Sequence, residues 1–237
     1  MMLVRLTLLL VWRGRNRTWQ DGVMIRSGRP RRLTTAAIVD AGTKLTLPKL
    51  TVRGIASELG VSEMSIYRRA GSIQGLRDLV AEGIVERADF ALPNLDDPED
   101  ALVDLARRLR DFVLTNPGIA EHLTRLSSAT PVSVGRIDRS QAEFAERYGI
   151  SAAQASILVS TIAEHAVALA AVNPRSHSQV RDSTSLSAAV STVRAGALAT
   201  AALSPEERFC WSIRATARGM LGMLGLPIRT DTPLSGG

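Results

Sequence analysis

Apolar positions along the chain recur every three to four residues, with no sustained alternation. The pattern therefore predicts helices and no strands. Ile38, Ala41, Gly42 and Leu45 share one face of a helix that Thr34 can cap, and Pro48 stops it. Thr51 opens a second helix over residues 52–59, whose apolar face is Ile55, Ala56 and Leu59. Gly60 stands where a left-handed C-cap belongs. Ser62 caps a third helix two residues later, running to about residue 69. Gly71 and Ser72 break and re-cap the chain. A longer helix follows to about residue 90, with Leu76, Val80, Ile84 and Ala88 repeating every four residues.

Residues 92–99, with two prolines and two acids before Glu99, read as a linker. Helical spacing then resumes over 99–115, 118–127, 132–148 and 151–172. Residues 173–185 are rich in Ser and Arg without periodicity and read as a loop. Two final helices are expected over 187–202 and 204–224. The predicted fold class is all-α, with a three-helix head joined by a helix to a helical body. The expected division is an N-terminal extension over 1–32, a head over 33–90 and a body over 91–237.

The extension holds a short apolar run, Leu6 to Trp12, followed by Arg13, Arg15 and Arg17. A signal peptide has its charge before the apolar run and a small-residue cleavage site after it. A membrane helix needs about 20 apolar residues. Neither pattern is met, so no membrane partner is expected and the protein reads as cytoplasmic. Met24 is expected as the natural start, and residues 27–32 form a basic arm.

Composition narrows the picture. Of 237 residues, 45% are apolar and 22% charged, which fits a packed globular chain rather than a disordered one. The lone Cys210 excludes an intrachain disulfide and any cysteine zinc site. Net charge is +6, and it is unevenly placed. Through Asp89 there are 15 basic and 8 acidic residues, against 14 and 15 beyond. Positive charge gathered in one segment points to a polyanionic partner. Setting aside residues 1–23 lowers the head's excess from +7 to +4, so charge alone supports DNA only modestly.

Two short helices separated by Gly60-Val61 form a helix-turn-helix, whose second helix enters the DNA major groove. Val61 and Ile66 pack on the first helix, and small Ala56 allows close approach. The wording Leu50-Thr-Val-Arg-Gly-Ile-Ala-Ser-Glu-Leu-Gly-Val-Ser-Glu-Met-Ser-Ile-Tyr67, followed by Ser72 and Leu76, resembles the DNA-binding domain of the TetR family of transcriptional repressors. The resemblance covers about residues 33–89.

It implies that Thr51 and Tyr67 contact phosphate and that Arg53 sits near base edges. Ser62, Glu63, Met64 and Ser65 occupy the exposed start of the recognition helix, with Arg68, Arg69 and Ser72 completing the DNA-binding set. Arg69 suits phosphate or a guanine edge, while Glu63 suits a cytosine amine and repels phosphate. Tyr67 also reads as a packed helix-end aromatic, and Arg53 and Arg68 as solvated charges. Ile73 stands where the family commonly has Lys, and Ala70 where it has a bulky apolar residue. The link around Pro48-Lys49 is short and lacks the family's Gly. Arg29, Arg31 and Arg32 are expected to compensate by reaching backbone or minor groove.

In the body, Phe209, Ile213, Ala217, Met220, Leu221 and Leu224 form one apolar stripe. Intradomain core is one reading. The resemblance suggests another, a four-helix homodimer interface using Leu158, Ile162 and Ala166 with Ile213, Ala217, Met220 and Leu224. His165 reads either as a buried polar residue or as a ligand-binding residue of an effector pocket. Few other polar groups are expected inside the body, which points to an apolar ligand. Cys210 reads as core without a cationic neighbour. No phosphate loop, nucleophile elbow or HExxH occurs, so no enzyme, metal or cofactor is expected. The partners implied are double-stranded DNA, a small-molecule effector and a second copy of the chain. A structural DNA-binding protein and a membrane-surface protein are the alternatives.

Overall fold

The computed structural model describes residues 33–91, 93, 95–124, 131–172 and 191–226. The extension, the basic arm with Arg29, Arg31 and Arg32, and the loop expected at 173–185 lie outside the described residues. Among those described, the elements are α1 (Thr35–Leu45), α2 (Val52–Leu59), α3 (Glu63–Ala70), α4 (Ile73–Arg87), α5 (Pro98–Thr115), α6 (Ile119–Leu123), α7 (Pro131–Tyr148), α8 (Ala152–Val172), α9 (Ser191–Ala201) and α10 (Pro205–Met223). No strand occurs among them, as the apolar spacing predicts.

Capping chemistry sets most helix starts. The hydroxyls of Thr34, Thr51, Ser62, Ser72 and Ser204 each accept a backbone N–H from their own first turn. Ser204 and Glu207 complete a reciprocal capping box. One junction departs from the expected pattern. The sequence offers no Gly after α1, and Thr46 takes the strained position itself at φ 64° and ψ 146°. A 3₁₀ turn over Leu47–Lys49 then carries the chain into α2. The short link is thus closed by backbone strain and a tighter turn.

Helix α4 is the spine of the head. It packs on α1 at two glycines: a Cβ on Gly42 would stand 2.5 Å from Val80 Cγ2, and one on Gly83 would stand 2.3 Å from Val39 Cγ2. Beneath α1–α4 lies a buried cluster of Ile38, Leu50, Ile55, Ile66, Leu76 and Val80. Val113 of α5, Ile119 of α6, and Val167 and Ala170 of α8 belong to the same cluster. Head and body therefore share core. The end of α4 is held as well, since Arg136 of α7 donates to the carbonyls of Val85 and Glu86 at 3.0 and 2.8 Å.

A second cluster fills the body, with Leu102, Ala106, Phe144, Leu158, Ile162, Phe209, Ile213 and Leu221 from α5, α7, α8 and α10. Polar groups penetrate it, against expectation. Glu99 is 2% exposed and accepts from Arg214 Nη1 and Arg218 Nε, each at 2.7 Å. His122 and Ser133 are buried too, both bonded to the buried Glu82 of α4 at 3.0 and 2.7 Å. Cys210 lies in this core, but the expectation of no cationic neighbour fails: Arg107 Nε stands 3.2 Å from its Sγ. Burial still dominates and pushes the thiol pKa up, so the sulfur is held as an unreactive thiol. Helix α8 is long and apolar enough to cross a membrane, yet its Ala155, Leu158, Val159, Ile162, Ala166, Val167 and Ala170 are buried in this chain's own cores.

The expected dimer residues need correction. Leu158, Ile162, Ala166, Ile213 and Ala217 are fully buried within one chain, leaving no surface for a partner. Met220 and Leu224 are half-buried against the same core. Period alone identified an apolar stripe. It could not tell core from interface, because the neighbouring helices that cover the stripe are distant in sequence.

Candidate nucleic-acid interface

The helix-turn-helix is assembled from α2, a Gly60-Val61 turn and α3. Gly60 adopts the left-handed conformation at φ 64° and ψ 35°, which closes α2 in one residue. Val61 N–H then donates to Ala56 O at 3.0 Å, turning the chain back at once. Ile55 and Ile66 are fully buried and face the same cluster, which fixes α3 against α2. The opposite side of α3 stays in solvent: Ser62, Glu63, Met64, Tyr67, Arg68 and Arg69 are exposed and Ser65 is half-buried.

Met64 is 65% exposed and Tyr67 44%. A methionine held that far into water at a helix start has no packing duty in the monomer. Tyr67 is likewise not the packed aromatic that one reading allowed. Glu63 projects from the first turn of α3, where its charge complements the helix dipole.

The capping hydroxyls have spare capacity. Thr51 Oγ1 accepts from Gly54 N at 3.0 Å and Ser72 Oγ accepts from Gly75 N at 2.9 Å. Each bond uses a lone pair and leaves the O–H proton available, which is what a phosphate oxygen requires. Ser62 accepts from Ser65 N at 3.3 Å, and the two hydroxyls lie 2.9 Å apart, so one donates to the other. Arg68 Nη2 leans on Ser65 Oγ at 3.4 Å. Arg53 is exposed on α2 and close in sequence to the Thr51 cap.

Two features were not foreseen. Arg69 does not point freely outward, because its Nη2 donates to Thr35 Oγ1 at the start of α1. No periodicity signals that bond, which spans 34 residues. Lys44 also donates to Glu58 Oε1 at 2.9 Å, tying α1 to α2 across their exposed edge, and the carboxylate raises the lysine pKa. Ile73 lies partly exposed at the start of α4, so the position lacks a cation there.

His165 sits on α8, its Nε2 2.9 Å from Ser212 Oγ on α10. It bridges those two helices. Two clefts flank α4, of about 220 and 480 Å³, and His165 lines neither.

Solved structures share this architecture. Apo ActR from Streptomyces coelicolor superposes with a TM-score of 0.69 at 20% identity, over 84% of this chain and 99% of that one. The complex of the TetR family protein ActR with actinorhodin gives 0.66 at 21%, over 82% and 100%. SCO7222, a TetR from the same organism, gives 0.63 at 23%, over 81% and 99%. The fold is that of the TetR-family regulators. No family model matches the chain, and no curated protein does. In this fold, the DNA-binding set expected from sequence falls on α2, α3 and their caps, with Ser72 at the start of α4. The residues expected to make the dimer fall inside the body.

Proposed function

We propose that the chain is a TetR-like DNA-binding regulator that represses from a palindromic operator as a homodimer and is released by a small-molecule effector. Residues 33–90 serve as the DNA-binding head and 91–237 as the effector-binding and dimerisation part. The observation that carries the reading is the solvent face of α3: Glu63, Met64, Tyr67 and Arg68 project from a helix whose other face is locked to the head core. Thr51, Ser62, Tyr67 and Ser72 contact phosphate; Arg53, Glu63, Met64, Ser65 and Arg68 address base edges. Arg69 holds α3 to α1 and reaches DNA only by exchanging that bond.

Dimerisation moves to the other side of the same two helices. On α8 the exposed stripe is Ala153, Ile157, Glu164 and Ala168; on α10 it is Trp211, Ala215, Gly219 and Met223. Ile157 is 64% exposed, Trp211 51% and Met223 88%, a costly arrangement for a lone chain in water. Two heads about 34–36 Å apart would meet successive major grooves. ActR binds actinorhodin. By analogy an effector here favours one head separation over the other, which requires unequal affinity for the two states.

Selection of bound sequences from random DNA tests the reading. Enrichment of an inverted repeat, with affinity falling steeply with salt, is the expected result. Recovery of no sequence defeats it. Replacing Ile157 and Trp211 with Glu should give folded monomers, whereas Met220→Glu and Leu224→Glu should disturb the core.

A further inference from the structure

Met64, the second residue of α3, is 65% exposed and belongs to neither buried cluster. Its thioether donates no hydrogen bond and accepts only weakly, so what it offers a partner is apolar surface. The polar groups around it are largely engaged. The Ser62 and Ser65 hydroxyls share a hydrogen bond at 2.9 Å, Arg68 leans on Ser65, and Arg69 donates to Thr35. Two residues bear on where the apolar surface can go. Glu63 precedes Met64 and is exposed at the first position of the helix, where its charge repels phosphate. Tyr67 stands one turn on along the same face and is 44% exposed. The start of α3 is thus kept off a polyanionic backbone, while its apolar side chain remains uncovered.

We infer that Met64 reads the methyl group of a thymine in the major groove, one thymine in each half of an inverted-repeat operator. The inference rests on the proposed function, which puts α3 in that groove. Chemistry decides the base. Guanine, adenine and cytosine present hydrogen-bond donors and acceptors along their major-groove edges, and thymine alone adds an apolar group. A thioether gains by covering that methyl group, whereas against the other bases it would strip water from polar atoms and give no bond in return. Position decides the groove. The minor groove displays no methyl group, and the first residues of a recognition helix are those that reach base edges. The unbranched side chain adjusts its rotamers to meet such a target. Deoxyribose is the other apolar surface on DNA, but it lies beside the phosphates that Glu63 repels, and every nucleotide carries it.

Binding of the full chain to modified operators tests this. In the inverted repeat enriched from random duplexes, thymines are replaced one at a time by deoxyuridine, which lacks only the methyl group. One thymine in each half should show a loss of about fourfold in affinity, the scale of one apolar carbon left unburied. Met64→Ala and Met64→Ser, both too short to reach the methyl group, should bind the enriched operator at least that much more weakly. Both should bind its thymine and deoxyuridine forms alike at that position, with thermal melts confirming that each is folded. An equal deoxyuridine penalty in the unaltered chain and both variants overturns the assignment. Weaker binding by the variants to an operator indifferent to deoxyuridine also overturns it, and assigns Met64 to the sugar. Enrichment of no sequence defeats the regulator reading and this inference with it, whereas an enriched operator without a sensitive thymine defeats the inference alone.

Discussion

Around the helix-turn-helix, the capping bonds of Thr51, Ser62 and Ser72 each join residues three apart, whereas Glu99 in the body reaches 115 and 119 residues along the chain to Arg214 and Arg218. The first set is exposed and leaves hydrogen-bonding capacity over for a partner. The second is enclosed, and its capacity is consumed within the chain. The difference separates exposed polar groups with bonding capacity to spare from enclosed ones that join helices. It also sets the energetic scale. An exposed cap contributes about 1 kcal/mol, while half of a buried ion pair left alone costs about 3–5 kcal/mol.

The largest effect should therefore come from Glu99→Ala, which strands Arg218 at the α5–α10 seam and leaves Arg214 with Asp100 alone. Because Arg214 and Arg218 keep 33% and 26% side-chain exposure, water relieves part of the penalty and the loss should be about 3 kcal/mol. Urea unfolding measures it, and a loss below about 1 kcal/mol would mean that the seam is no stronger than a surface pair. Asp100→Ala, touching only Arg214, should cost far less. Gly42→Ala comes next. The added methyl group meets Val80 Cγ2 at 2.5 Å, and overpacking of this kind costs about 1–3 kcal/mol. A stable variant would show that α1 and α4 shift apart at little cost.

Around the helix-turn-helix the effects are smaller and split differently. Ser62→Ala should remove about 1 kcal/mol from the head through the lost cap. Tyr67→Phe should leave stability untouched, since the ring is already exposed, yet weaken binding to the selected DNA. Equal DNA affinity for Tyr67→Phe would remove Tyr67 from the interface. Thr46→Gly runs the other way: relief of a β-branched residue at φ 64° should raise stability by about 1 kcal/mol, after the flexibility that glycine adds to the unfolded chain.

The same contrast explains what could be read from the residues alone. Helix starts and the turn of the head follow from local chemistry: Thr51, Gly60 and Ser62 act on neighbours a few positions away, so α2 and α3 were legible almost to the residue. The solvent-facing side of α3 was legible because burial of Ile66 dictates the rest. Which side of the apolar stripe is covered within the chain was not. Ile213 and Ala217 carry the same spacing whether a partner or α5 covers them, and only the three-dimensional fold places α5 and α8 there. Glu82 with His122 was missed for a related reason: an acid on α4 gives no sign of a partner 40 residues away.

The smallest effect concerns alkaline pH and involves two groups of the body's core cluster. Burial raises the pKa of Cys210 above its ordinary 9.0 and that of Tyr148 above its ordinary 10.0; the Tyr148 hydroxyl also donates to Leu95 O at 2.7 Å. Both groups thus hold their protons longer folded than unfolded. In that window the folded chain binds more protons, so raising the pH favours unfolding. Their contribution is fully present below about pH 9 and is lost as pH climbs through the raised folded values. The urea midpoint should be flat near neutrality and decline between about pH 9 and 11. Tyr148→Phe and Cys210→Ala should each flatten the decline while lowering the neutral plateau through lost contacts. A double variant whose midpoint falls as steeply as that of the unaltered chain would show that other groups drive the alkaline loss.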